Sequence, residues 1–160
     1  MNFTMKVDEG KIQRVKKYMD NDHFRSLFSD RLQQIGDDLK ADIQENIAKR
    51  ASNTGQLLQS WFARKEGQLK VVVGTPNEYA LFVEEGTRPH RMPIDPLKKW
   101  VRLKRRNLGV PASQVDSTAW AVWWKIARKG TKAKKYMEDA LKKFNLNAYL
   151  DALLKEWENV

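Results

Sequence analysis

Few side chains of this 160-residue sequence have the type and spacing for chemistry. There are two histidines, His23 and His90, and no cysteine, which excludes disulfides, thiolate metal ligands and thiol nucleophiles. Neither a His-Glu-x-x-His pair nor a glycine-rich phosphate loop occurs. Glu84 and Glu85 are adjacent, so they tend to point to different sides and make a poor acid/base pair. Glu84 is better suited to pairing with Arg88 or to capping the following loop through its backbone amides. His90 lies between Pro89 and Arg91, a basic loop that disfavours a cation, and metal sites are recognised by several ligands together. Catalysis needs a convergent set of groups. None is found, so the chain is expected to be no enzyme, with no cofactor, metal or small-molecule substrate.

The charged side chains are more informative. The net charge is +10, and it is unevenly spread. Residues 1–87 hold 13 Lys/Arg and 13 Asp/Glu, a balance of zero. Residues 88–146 hold 16 Lys/Arg against Asp95, Asp116, Glu138 and Asp139, a balance of +12, and residues 147–160 return −2. A neutral scaffold therefore carries one strongly basic segment, the footprint expected for a polyanion or an acidic protein surface. Its densest part is Lys98, Lys99, Arg102, Lys104, Arg105 and Arg106. An excess of cations without a base-reading motif supports sequence-independent attraction only.

The elements that must position these groups follow from periodicity and caps. Asp8 is suited to cap a short first helix with Ile12, Val15 and Met19 on one side, and Asn21-Asp22 to break it and start the next. From His23 to Arg50, apolar residues at Phe24, Leu27, Phe28, Leu32, Ile35, Leu39, Ile43 and Ile47 make a continuous helical stripe. Gly36 inside that helix costs ~1 kcal/mol relative to alanine, which calls for a packing reason. Ser52-Asn53-Thr54-Gly55 ends the helix, and Gln56–Ser60 allows one further turn. Trp61–Arg64 and Leu69–Val73 read as a β-hairpin around Glu66-Gly67, with Leu69, Val71 and Val73 on one face. A lone hairpin is marginal in water, so it is expected to pack on the long helix or to pair with strands from elsewhere, a neighbouring subunit included.

After a Gly86–Pro93 loop, Asp95-Pro96 is a good helix start and Gly109 a stop, with Leu97, Trp100 and Val101 on the apolar side. Asp116-Ser117 opens a helix carrying Trp120, Trp123 and Trp124, which Gly130 ends. Trp100, Trp120 and Trp123 stand at helical spacing, which reads first as core packing. The rival reading makes them stacking partners for nucleic acid beside the Arg/Lys helix. Lys134–Phe144 and Leu146–Asn159 close the chain as amphipathic helices, with Met137, Leu141 and Phe144, then Tyr149, Leu150, Leu153, Leu154 and Trp157, turned inward. The expected fold class is α+β: a long N-terminal helix packed on a small antiparallel hairpin, with a basic helical insertion and closing C-terminal helices. One domain is expected over 1–160, divided into 1–50, 54–93, 94–130 and 131–160. A mean hydropathy of −0.69 and the lack of a long apolar run give no expected membrane segment, so a soluble chain made in the cytoplasm is expected.

The segment Thr54-Gly55-Gln56-Leu57-Leu58-Gln59-Ser60, followed by Val73-Gly74-Thr75, Glu78-Tyr79-Ala80, Val83-Glu84, Gly86-Thr87 and Pro89-His90, resembles the signature TG-x-L-x-x-S … VGT-x-x-EYA-x-x-VE-x-GT-x-PH. That signature marks the tailed-bacteriophage neck proteins, also called the tail-completion or minor tail component family. Ala121–Ile126 and Gly130-Thr131-Lys132 resemble its longer members, which insert helices after the Gly-Thr loop; Lys135-Tyr136-Met137 stands where they carry a Pro-Phe-rich segment. The resemblance implies a virion component at the head–tail junction: a ring, commonly a hexamer, between head-closure and tail proteins, around the channel through which DNA leaves. Ring subunits present two different complementary surfaces. The hairpin and Gly-Thr loop are candidates for one, with Thr54, Gly55, Trp61, Tyr79, Glu84, Gly86, Thr87, Arg88, Pro89 and His90 as interface residues. Lys98, Lys99, Arg102, Lys104, Arg105 and Arg106 are candidates to face DNA or an acidic neighbour. A tail-terminator ring and a sequence-independent DNA-binding protein are the alternative functions.

Overall fold

The structure, a computed structural model, describes residues 8–50, 55–67 and 69–159. They divide into two compact units. Unit 1 holds the described residues up to Asn77 and those from Tyr136 onward; unit 2 is Glu78–Lys135.

Unit 1 is built on two N-terminal helices, α1 (Glu9–Tyr18) and α2 (Asp22–Arg50). Asp8 caps α1 by accepting from the Lys11 N–H, and the Asn21 side-chain oxygen caps α2 by accepting from the His23 and Phe24 N–H groups. Both caps were expected from sequence. The apolar stripe of α2 meets two different partners. Its N-terminal part packs Phe24, Leu27 and Phe28 with Val15 of α1 and with Leu150, Leu153, Leu154 and Trp157 of α8 (Leu146–Glu158). Farther along, Leu39, Ile43 and Ile47 are buried on the same helix, which there neighbours α7 (Tyr136–Lys143).

Between them lie a one-turn helix α3 (Gln56–Gln59) and the strands β1 (Phe62–Lys65) and β2 (Val71–Gly74), paired antiparallel with Phe62 opposite Gly74 and Lys65 opposite Val71. This two-stranded sheet packs on α2. Gly36 is the packing reason: a Cβ there would overlap Val71 Cγ1 and touch Ala63, so glycine lets the sheet lie against the helix. Residues directly opposite share a face, which places Ala63, Lys65, Val71 and Val73 toward α2 and Phe62, Arg64 and Val72 on the other side. Lys65 accordingly reaches Asp30 of α2 at 2.9 Å. Leu69 does not join the strand as expected: it lies in the loop closed by Glu66 N–H to Lys70 O, and it is exposed.

The inward face of α7 differs from the expected one. Tyr136 and Ala140 are buried, whereas Met137, Leu141 and Phe144 are half-buried. The Tyr136 ring meets Trp61 edge-on, with centroids 6.1 Å apart, and its carbonyl accepts from the Asn46 side chain. These contacts set the rotation of the helix. The helix also starts later than expected, because Lys135 has φ +49°, outside the right-handed helical region, while the Lys134 and Lys135 N–H groups bond to the carbonyls of Val83 and Glu84.

Unit 2 contains α4 (Tyr79–Glu85), α5 (Ile94–Lys104), a short 3-10 turn (Ala112–Gln114) and α6 (Val115–Lys129). α5 begins one residue before Asp95, with Pro93 at its cap position and no side-chain cap. Its buried Leu97 and Val101 meet Val115 and Ala119 of α6, and Met92, Ile94, Trp100, Val122, Trp123 and Ile126 surround that cluster.

Candidate functional site

The signature residues of unit 1 act on backbone geometry. Gly55 has φ +79°, a left-handed conformation that starts α3, and Leu57 is buried. Ser60 Oγ donates to the Leu57 carbonyl and lies 2.6 Å from Thr75 Oγ1, which also accepts from the Asn77 N–H. The serine of the first motif and the threonine of the second therefore form one hydrogen-bonded joint between α3 and the end of β2. Trp61, an interface candidate, is interior, and its Nε1 has no hydrogen-bond partner. Thr54 lies outside the described residues, as does the helix end expected at Ser52-Asn53-Thr54.

The Gly-Thr loop of unit 2 has a counterpart that its motif did not reveal. Gly86 ends α4 with φ +73°, and Gly130 ends α6 with φ +67°. Between them Thr87 and Thr131 exchange backbone hydrogen bonds in both directions, 3.1 and 3.2 Å, and their hydroxyls lie 3.1 Å apart. A Cβ on Gly130 would overlap the Thr87 carbonyl oxygen, and one on Gly86 would overlap the Thr131 carbonyl oxygen. Two Gly-Thr pairs thus clasp each other where the chain leaves for α5 and where it returns from α6. Two glycine-threonine dipeptides 44 residues apart were the only signal, and neither period nor spacing joined them.

Beyond the clasp, the remaining interface candidates separate by exposure. Tyr79 is 55% exposed on α4, with Leu81 and Phe82 also outward, whereas Glu84 is buried. Arg88, Pro89 and His90 are exposed, and His90 Nδ1 stands 2.9 Å from the Arg88 carbonyl, which rigidifies the bend.

Unit 2 carries 14 Lys/Arg and five Asp/Glu, a balance of +9, against 16 and 15, or +1, in unit 1. Of the six basic candidates, Lys98 faces Asp116 at 3.6 Å; Lys99, Arg102, Lys104, Arg105 and Arg106 make no ion pair among the described residues. Arg102 and Arg105 line an open groove with Ala112, Ser113 and Asp116 at the mouth of the α5–α6 hairpin. Trp100 and Trp123 belong to the hairpin core, Trp123 donating its Nε1–H to the Met92 carbonyl. Trp120 and Trp124 do not: they are 45% and 51% exposed, so the core reading of Trp120 is corrected. Their i, i+4 spacing on the side opposite Ala119 was legible in the sequence but indistinguishable from core periodicity.

Among the described residues no three His, Cys, Asp or Glu side chains gather as a metal site, and no helix is long and apolar enough to cross a membrane. The electrostatics of unit 1 are local instead. The hydrogen bond from Arg14 holds the Glu158 carboxyl below its ordinary value; burial, then the hydrogen bond to Asp38, pushes Tyr149 up to about 12.

Residues 11–86 match the model of the HK97-gp10-like family, described as "Bacteriophage HK97-gp10, putative tail-component". The match runs from α1 to the glycine that ends α4 and stops before the basic hairpin. It fits a tailed-phage neck or tail-completion family and supports a structural role in a phage tail or neck, a place in the virion, and contact with other virion proteins. No curated protein and no solved structure matches the chain.

Proposed function

With the tail-component match of residues 11–86 as premise, we propose that this chain is a subunit of a ring at the head–tail junction of a tailed phage, around the channel through which DNA leaves. It works by assembly, without turnover of a substrate. Self-association, commonly to a hexamer, joins the exposed Tyr79 and Arg88–His90 side of one copy to a different surface of the next, since a closed ring needs two complementary faces. Head-closure and tail proteins stack above and below. The family match is the observation that carries this reading; the Ser60–Thr75 joint and the Thr87–Thr131 clasp support it, because both hold loops at fixed angles, as an assembly part requires.

The test is electron microscopy of the purified chain and of particles that contain it. Closed rings, or a monomer that enters a ring only on its partners, agree with the proposal; density for the chain elsewhere than the neck overturns it. Placement at the far end of the tail tube would instead identify a tail-terminator ring.

A second reading has its own support. The +9 balance of unit 2, with Arg102, Arg105 and Arg106 outside any ion pair among the described residues, is the electrostatic footprint of non-specific DNA binding. Titration of a mixed-sequence duplex at several salt concentrations decides it: affinity that falls steeply with salt supports DNA contact, and none at low salt removes it.

A further inference from the structure

The outer side of α6 carries a feature that the basic charge alone does not explain. Trp120, Trp124 and Arg128 stand at i, i+4 and i+8, one above another, opposite the buried Val115 and Ala119. Both indoles are about half exposed, and Lys125 and Lys129 follow along one side of the row. Adjacent exposed tryptophans are unusual on a surface that meets only water, and Trp and Arg are the side chains most enriched where protein interfaces hold their binding energy.

The neighbourhood of the rings discriminates between occupants. Trp120 meets Trp123 at 5.6 Å and 69°, Trp123 meets Trp124 at 5.1 Å and 89°, and the Arg128 guanidinium lies over the Trp124 ring at 5.4 Å. Base stacking needs a free ring face. Here Trp120 and Trp124 each meet Trp123 at a steep angle and Arg128 lies over Trp124, so the rings form a fixed cluster and not separate stacking platforms. A duplex backbone offers such a cluster no apolar area to cover. Lys125, Arg128 and Lys129 make no ion pair among the described residues, which calls for carboxylates on the partner. A second copy of this chain supplies them poorly: unit 2 is at +9, and many carboxylates of unit 1, near neutral, already sit in ion pairs such as Arg14–Glu158, Lys11–Asp151 and Arg50–Asp139.

We infer that the Trp120–Trp124–Arg128 face of α6 is a docking surface for a different virion protein, one that presents an apolar ridge flanked by Asp and Glu. The inference rests on the neck-subunit reading. It assigns the tryptophans to the centre of the contact and Lys125 and Lys129 to its charged rim.

The experiment replaces Trp120 by p-benzoylphenylalanine in the full chain, irradiates particles assembled with it, and maps the adducts by mass spectrometry. The expected adduct lies on another virion protein, within a few residues of Asp or Glu. Adducts on genomic DNA or on a second copy, or none in particles that contain the chain, overturn the docking surface while leaving the neck-subunit reading intact. Absence of the chain from particles overturns both. A second arm uses Trp120→Ala with Trp124→Ala. Incorporation into particles is expected to fall on the order of tenfold or more, the effect of losing a hot spot, with thermal unfolding lowered only slightly because both rings are about half exposed and each loses one contact with Trp123. Unchanged incorporation overturns the inference.

Discussion

The two units handle charge in opposite ways. In unit 1, cations and carboxylates are nearly equal in number and find each other along and between helices, as in Lys11–Asp151, Arg31–Glu156, Lys65–Asp30 and Lys40–Asp37. Each such exposed pair contributes ~0–1 kcal/mol, so the sum is a surface with little net field and not a large store of stability. In unit 2 the cations outnumber carboxylates almost three to one, and most of α5 and α6 presents them unpaired. A domain that only had to fold would have no reason to concentrate self-repelling charge on one helical hairpin. The difference fits the proposed reading, in which the basic hairpin of unit 2 meets a partner. The family match covers most of the N-terminal part of unit 1 and α4 of unit 2, ends at Gly86, and leaves the basic hairpin outside.

This comparison is broken most severely at the clasp. Gly130→Ala forces a side chain onto the Thr87 carbonyl at a positive φ, and it is expected to destabilise unit 2 by more than about 3 kcal/mol. Hydrogen exchange should report the loss in α5 and α6, with α1, α2 and α8 still protected; loss spread evenly over both units would refute the independence of the clasp. Next is the interior of unit 1. Trp61→Ala should cost about 3–5 kcal/mol through the cavity beside Tyr136. Trp61→Phe keeps an aromatic ring and removes the unpartnered Nε1–H, so denaturant unfolding should place it much closer to the parent. Gly36→Ala should cost roughly 1–3 kcal/mol by pushing Val71 off α2, read from the midpoint of the same transition.

Smaller effects sharpen the contrast. Joint Arg102→Gln, Arg105→Gln and Arg106→Gln changes should leave the melting temperature nearly unmoved, within about 0.5 kcal/mol. If the hairpin touches phosphates, the slope of log affinity against log salt should fall by roughly 1 for each phosphate that an arginine no longer neutralises, measured by anisotropy of a labelled duplex. The smallest effect is that of pH on unit 1. The folded carboxyls of Glu158, Asp37 and Glu66 lie below their ordinary values, chiefly through hydrogen bonds from Arg14, from Gln33 and from Lys70 respectively. Their stabilisation is present above the unfolded carboxyl pKa and lost as pH falls through the folded one. Tyr149, raised to about 12, runs the other way: its contribution is complete below the ordinary tyrosine value and disappears as pH rises toward 12. Arg14→Ala should therefore flatten the acid limb of the unfolding curve and leave the alkaline limb unchanged.

Local information in the chain was enough to determine much of this molecule. Side-chain caps at Asp8 and Asn21, the stripe from Phe24 to Ile47, the hairpin, the stop at Gly130 and the basic segment all follow from periods and residue types within a few positions, whereas α5 ends at Lys104 and not, as expected, at Gly109. Each depends on interactions between near neighbours, which is why they were legible. The rotation of α7 was not, because it is fixed by Trp61 and Asn46, far away in the sequence. The same holds for the Ser60–Thr75 joint and for the clasp between Gly86-Thr87 and Gly130-Thr131. Helical spacing also assigns a tryptophan to a face without saying whether that face meets a core or solvent. Only the packing of α5 on α6 decided it, burying Ala119 and leaving Trp120 and Trp124 outside. Sequence patterns record what a segment could bury; which segments then bury one another depends on the whole folded chain.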